Sequence, residues 1–436
     1  MARYKRGKHE AIWPQFFVLL VFVFLAPLCI SLANAVPLSD ALQSSPQHGF
    51  SLAVNPRSDA SRRDFVRDLA AAHRKWGHGA PKEVATRFSL NDSPGRVDVV
   101  PMGSDDIYLA DVQIGNPPQT VKLALDTGSS DLWLQSTDTE YLYNVKGPWA
   151  PLYRPNESTT SHLIEDAKWS VMYMDGTHAG GIVYHDTVLL GDFKVENATV
   201  QSAKAVTSRF EEEIELSGIL GLAKRLPNTV EPPAPSFLSL LRQQLKHQVF
   251  GVDMNRNASG VFTFGYLDES RASEDLVWVD TDPDSPHWDV EFNLTTWGAQ
   301  TTTPWYSQPF MATIDTGTTL MFLPDNLASG YWLAVPGAKV DQQLSGAYSF
   351  PCELAKGLPD LMLKIPGTDR ILTIPGPYLN YGPSELDPSA CWGGMQSADG
   401  LKVTVLGDIM LKALYLAFDL DKGRIGFAKK DLHDVY

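Results

Sequence analysis

The sequence predicts a mainly β fold built from two structurally related lobes. Two motif repeats and a series of short strands carry that prediction. Leu125-Asp126-Thr127-Gly128-Ser129-Ser130 recurs as Ile314-Asp315-Thr316-Gly317-Thr318-Thr319, each copy entered by an apolar run. Ile219-Leu220-Gly221 recurs as Val405-Leu406-Gly407; Gly221 lies 95 residues after Asp126 and Gly407 lies 92 after Asp315. Two independent signals at nearly equal offsets imply two copies of one folding unit. Around them, alternating or β-rich runs predict strands over Ile107–Ile114, Gln119–Ala124, Ser170–Met174, Ile182–Leu190, Val261–Phe264, His287–Phe292 and Arg424–Phe427. Gly and Pro punctuate these runs and helical patterns are few, so sheets dominate.

In chain order, the first element is a targeting segment. Arg3, Lys5, Arg6 and Lys8 precede an uncharged apolar run from Phe16 to Ile30, and Ala33-Asn34-Ala35 closes it with the small-residue pattern of a signal-peptidase site. This reads as secretion with cleavage after Ala35, with an acidic compartment of the secretory route such as the vacuole as the alternative. Cleavage removes Cys29 and leaves Cys352 and Cys391 as the one pair in a chain bound for an oxidising compartment, so a disulfide is expected between them. The same route makes Asn156, Asn197, Asn257 and Asn293, each in an Asn-x-Ser/Thr sequon, candidate glycan sites on surface loops. No apolar tail precedes Tyr436, so a soluble product without a lipid anchor is expected.

Residues 36–98 form a leader of different composition. Between Ser51 and Phe88 eight basic residues face four acidic ones. The chain beyond Asp92 has 24 basic and 44 acidic residues, a balance of -20 within an overall -15. A basic leader ahead of an acidic body predicts a segment held on that body by charge attraction. Phe65, Leu69 and Ala72 fall on one side of a helical pattern over Arg62–Trp76, so the leader is expected to fold. The remainder divides into an N-terminal lobe, 99–272, and a C-terminal lobe, 273–436.

This charge balance leaves no basic surface for phosphates and argues against nucleic-acid binding. The repeated Asp-Thr-Gly argues for something more specific. Glycine lets each loop turn tightly and the neighbouring hydroxyls can hold the carboxylate, so each copy presents one acid. If the lobes pack about a pseudo-twofold axis, Asp126 and Asp315 meet, cannot both ionise easily, and share a proton. One is then an acid while the other is a base, which suits activation of a water against a carbonyl with no covalent enzyme intermediate, no metal and no cofactor. A secreted glycosidase also pairs carboxylates, but nothing in that chemistry calls for two Asp-Thr-Gly loops. Neither a Gly-x-Ser-x-Gly elbow nor a zinc-type His-Glu motif in the body supports the other hydrolytic routes.

On these motifs the chain resembles the pepsin-like aspartic endopeptidases, especially secreted fungal members, over residues 104–436 and more loosely over the leader. Tyr108 to Gln119 resembles the family's first strand and turn, Trp133 stands seven residues after Asp126 as the family tryptophan does, and Cys352 with Cys391 resembles its C-lobe disulfide. The resemblance implies a bilobal fold with a cleft, Asp126 and Asp315 as catalytic residues, and Thr127, Gly128, Ser129, Thr316, Gly317 and Thr318 as their support. It implies a hairpin flap over Trp169–Thr177, in which Tyr173 walls the pocket and bonds Trp133, with Gly176 and Thr177 beside it. Asp175 matches the flap acid that admits lysine before the scissile bond, besides large apolar residues. Met174, where glycine is usual, and Ala124, where many fungal relatives carry an acid, depart from the pattern. The leader becomes an intramolecular inhibitor whose Arg74-Lys75-Trp76-Gly77 places the Lys75 ammonium between the two carboxylates until acid protonates them. Polypeptides are the implied substrates, the product a monomer. A catalytically dead binding protein on the same scaffold is the rival, disfavoured because Asp126, Ser129, Tyr173, Asp315 and Thr318 all match.

Overall fold

A computed structural model of the chain describes residues 49–56, 64–77, 81, 107–141, 150–172, 178–206, 215–298, 305–384 and 387–432. Strands predominate. In the N-terminal half they are β2 (Tyr108–Ile114), β3 (Gln119–Asp126), β4 (Leu132–Glu140), β5 (His162–Met172), β6 (His178–Leu190), β7 (Phe193–Val206) and β8 (Gly218–Gly221). All belong to one 14-stranded sheet, which continues through Val249–Asn255 and Ala258–Phe264 into Leu414–Asp419, Arg424–Lys429 and Val277–Asp280 of the C-terminal half. The two halves are thus joined by main-chain pairing as well as by side chains. The C-terminal half adds three smaller sheets, one of which carries Phe310–Ile314 and Asp315 at its end. The large apolar core runs continuously beneath both halves, from Val121 and Leu123 to Ile314 and Leu406.

The two motif repeats pair with each other inside each half. β3 runs parallel to β8, setting Asp126 opposite Gly221 and Leu125 opposite Leu220. Phe310–Ile314 runs parallel to Thr404–Leu406 in the same manner, with Ile314 opposite Leu406. The Asp315 N–H donates to Leu406 O at 3.2 Å. The sequence offset is therefore the length of chain each half needs to bring its second motif back beside its acid.

The leader contributes two elements, α1 (Phe65–Trp76) and β1 (Phe50–Pro56). α1 starts at Asp64, whose side chain accepts from the Arg67 N–H at 3.0 Å, and ends at Gly77. Residues 62 and 63 of the predicted helix lie outside the described residues. Phe65, Leu69, Ala72 and Trp76, spaced for one face, pack on Leu320, Phe322, Tyr381, Trp392 and Val405 of the C-terminal half. Phe65 stacks on Trp392 with centroids 4.5 Å apart, and the Tyr381 hydroxyl donates to Asp68 at 2.8 Å. β1 lies where no strand is predicted, although Phe50, Leu52 and Val54 alternate with small or polar residues. It pairs antiparallel with Ala258–Phe264, from Phe50 opposite Phe264 to Val54 opposite Gly260, and its end pairs with β2.

Cys352 and Cys391 form the expected disulfide, tying the turn after Ala347–Pro351 to the adjacent strand Ala390–Gly393. Asn156 is exposed on a short 3-10 helix, Pro155–Glu157, and Asn257 is exposed in a turn. Asn197 is exposed too, but on a bulge within β7 rather than in a loop, at φ 54°. Asn293 is half-buried between two strands. Among the described residues no helix is long and apolar enough to cross a membrane.

Candidate active site

Asp126 ends β3 and Asp315 follows Phe310–Ile314, so each carboxylate is delivered by a buried strand onto a tight loop. Each loop then holds its acid in the same way. The Gly128 N–H donates to Asp126 Oδ1 at 2.8 Å and Ser129 Oγ donates to Oδ2 at 2.5 Å. The Gly317 N–H donates to Asp315 Oδ1 at 3.0 Å, and Thr318 Oγ1 donates to Oδ2. The hydroxyl that holds the acid is therefore the one three residues on.

Thr127 and Thr316, expected to support their own carboxylates, do something else. The Thr127 N–H donates to Thr316 Oγ1 at 3.0 Å and the Thr316 N–H to Thr127 Oγ1 at 3.0 Å. Each hydroxyl in turn donates to a main-chain carbonyl of the opposite half, Thr127 to Ile314 at 2.9 Å and Thr316 to Leu125 at 2.7 Å. These four buried bonds lock the loops face to face and pair both threonine hydroxyls and both threonine N–H groups.

Glycine at 128 and 317 is required by close approach. A Cβ on Gly128 would stand 2.6 Å from Asp315 Oδ1, and one on Gly317 would stand closer still to Asp126 Oδ1. The acid of each half thus lies against the glycine of the other. Burial pushes the Asp126 carboxyl up; with the Asp315 charge beside it, this outweighs the Lys75 ammonium and leaves its pKa above the usual carboxylate value. Burial pushes Asp315 up too. There Lys75, with hydrogen bonds from Asp126 and Thr318, prevails and holds it below that value. The two pKa values are thus pushed apart, Asp126 holding its proton more tightly than Asp315.

Lys75, on the last turn of α1, reaches both acids. Its Nζ lies 2.7 Å from Asp126 Oδ1 and 2.9 Å from Asp315 Oδ2. Burial alone would lower the ammonium pKa, but the two carboxylates raise it above the ordinary lysine value. Trp76, which the sequence singled out only as an aromatic neighbour, is a second contact: its indole N–H donates to Asp315 Oδ2 at 3.1 Å. The Trp76 carbonyl accepts from the Lys402 N–H at 2.7 Å, and Gly77 bridges to Leu401, so the segment is anchored by its backbone as well.

A cavity of about 520 Å³ adjoins the carboxylates and is bounded on one side by α1. Trp133, Val171, Leu216 and Ile219 give it an apolar wall, and Ala124 lines it as well. Trp133 is buried, packed on Trp169 with centroids 5.9 Å apart. Tyr173, Asp175, Gly176 and Thr177, with Met174, lie outside the described residues. β5 and β6, the strands on either side of them, pair antiparallel up to Met172 opposite His178.

A model of the eukaryotic aspartyl protease family matches residues 107–430. The chain belongs to the eukaryotic aspartyl proteases. Endothiapepsin of Cryphonectria parasitica is 37% identical over 341 residues, 78% of this chain and 79% of that protein. Aspergillopepsin-1 of Aspergillus fumigatus is 32% identical over 413 residues, 94% of this chain and 99% of the relative. Penicillopepsin-1 of Penicillium rubens is 33% identical over 400 residues, covering 91% and 94%. This aspartyl protease is accordingly an aspartic-type endopeptidase of the pepsin family, and polypeptides are its substrates. Shared-proton carboxyl pairs are the established pattern of this class.

Proposed function

We propose that the protein is the secreted precursor of an acid-acting endopeptidase, with Asp126 and Asp315 as its catalytic residues and residues 36–98 as its inhibitor. The observation that carries this reading is Lys75 Nζ, 2.7 Å from one carboxylate and 2.9 Å from the other. A cation there neutralises the pair and occupies the space a hydrolytic water needs. Acid protonates the carboxylates, weakens both ion pairs and lets the leader depart.

In the open cleft the ionised member of the pair takes a proton from the attacking water while the protonated member donates toward the substrate carbonyl oxygen. The resulting diol collapses as a proton passes to the amide nitrogen and the C–N bond breaks, returning one proton to the pair. Activity requires one protonated and one ionised acid, so its profile is bell-shaped and lies in acid. The apolar wall of Trp133, Val171, Leu216 and Ile219 favours large hydrophobic residues beside the scissile bond. Lysine before that bond is assigned to Asp175. Secretion rests on the Arg/Lys-flanked apolar run and Ala33-Asn34-Ala35, with Asn156, Asn197, Asn257 and Asn293 as glycan acceptors. The mature product is taken as a monomer of two lobes divided near residue 272.

The test is to acidify the purified precursor, follow its mass, and assay a denatured protein substrate. The wild type loses its leader and cleaves in acid but not at pH 8; Asp315→Asn does not cleave; the Lys75→Ala precursor cleaves without prior conversion, at a mildly acidic pH where the wild-type precursor is still silent. Cleavage by Asp315→Asn overturns the catalytic assignment, and a silent Lys75→Ala precursor overturns the inhibitory one.

A further inference from the structure

His287 lies in the same cavity wall as Asp126, Gly317 and Thr318, yet no sequence motif drew attention to it. Its ring meets the indole of Trp76 edge to face, with centroids 4.9 Å apart. Trp76 itself bonds Asp315, so the aromatic side chain that touches His287 is the one lying against the reacting carboxylates. Among the described residues the buried His287 Nδ1 has no hydrogen-bond partner. The backbone here is held firmly. The His287 N–H donates to Ser285 Oγ at 3.1 Å, the Trp288 indole donates to Leu222 O at 3.0 Å, and the Arg225 N–H donates to Pro286 O at 2.9 Å. An imidazole on a fixed support, lining the cleft and in contact with the Trp76 indole, is poised to read whatever replaces Trp76.

We propose that His287 is a specificity-determining residue of the open cleft, favouring a carboxylate and disfavouring Lys or Arg at the substrate position that takes the place of the Trp76 indole. This rests on Asp126 and Asp315 being the catalytic pair. The charged groups around the ring decide its state. With the leader in place, burial lowers the imidazole pKa, Asp289 and Asp126 raise it, and Lys75 and Lys224 lower it. Lys224 is engaged elsewhere, donating to Thr281 Oγ1 at 3.0 Å and to Asp282 O at 2.6 Å. Asp289 is itself held by Ser285 and Thr313. Departure of the leader removes Trp76, which helps bury the ring, and Lys75, which repels its proton. Asp289 and Asp126 then favour the imidazolium, with Lys224 as the cation still opposing them. The ring gains its charge as pH falls, while a glutamate side chain is ionised above about pH 4.3. Preference for Glu over Gln peaks in the window where both are charged, while discrimination against Lys sets in as the ring takes up its proton.

The test uses leader-free enzyme and peptides that differ only in Glu, Gln or Lys at each position adjoining the scissile bond in turn. At one position the Glu-to-Gln ratio of kcat/KM is expected to reach about fivefold inside that pH window, the size of a partly exposed ion pair. The Lys-to-Gln ratio falls below one. Both ratios collapse toward one in His287→Gln, which keeps hydrogen bonding without the charge, and in His287→Phe, which keeps the ring. Ratios that show no such position, or that persist in both variants, overturn the assignment. A wrong catalytic assignment announces itself differently, as cleavage by Asp126→Asn or Asp315→Asn.

Discussion

His73 tests the proposed release of the leader in acid. It sits on α1, 4% exposed, with its ring edge-on to Phe322 at 6.2 Å and its Nδ1 unpartnered among the described residues. Burial in this apolar seam lowers its pKa from 6.5 to about 4, against a smaller opposing pull from Asp399. In a released leader the imidazole regains its ordinary value. The docked state thus binds the proton more weakly than the released state, so docking is fully favoured above pH 6.5 and weakens as pH falls, until the ring protonates in place near pH 4. Across that window the gap corresponds to about 3 kcal/mol. At pH 5 it amounts to about a 30-fold loss of docking relative to neutral pH. His73→Phe keeps the aromatic contact and removes the titration. Its precursor is expected to convert at lower pH than wild type, with a shallower profile, when mass is followed across a pH series. An unchanged midpoint and slope would refute the reasoning, because the carboxylates around Lys75 would then account for release alone.

Other expectations follow from the same contacts. Phe65→Ala removes the ring stacked on Trp392 and costs about 3–5 kcal/mol of leader docking, so the precursor should convert at higher pH; conversion at the wild-type pH contradicts it. Thr127→Val leaves the Ile314 carbonyl and the Thr316 N–H without their partner, at about 1–3 kcal/mol each, and the melting temperature should fall by several degrees in calorimetry. Gly317→Ala drives a methyl into the Asp126 carboxyl, so peptide cleavage should drop sharply while far-ultraviolet circular dichroism is retained; wild-type kcat would show that the loops can part to admit it.

Much of the site was legible because its signals are local. An acid, a glycine two residues on and a hydroxyl three residues on satisfy one another within a single turn, so Asp126-Thr127-Gly128-Ser129 and Asp315-Thr316-Gly317-Thr318 announce their geometry wherever they fall. The repeat offset likewise gave the duplicated unit, although that the second motif runs beside the acid in each half is seen only in the strand pairing. The face of α1 could be read from spacing, since i, i+4 and i+7 share a side of any helix.

Other features depend on partners hundreds of residues away and leave no local trace. Nothing near Thr127 says that its hydroxyl will serve Ile314 rather than Asp126; that depends on the two loops meeting. β1 alternates as a strand should, but only the edges offered by Ala258–Phe264 and β2 give it a place in the sheet. His73 and His287 are single residues in unremarkable contexts, given meaning by an apolar seam and an indole supplied from elsewhere. The sequence by itself determined the family, the pair of acids and the charge opposition between leader and body, because each is a property of short motifs or of composition. Tertiary structure decided which side chain faces which, because burial and hydrogen bonding between the two halves depend on distances in space that sequence separation does not encode.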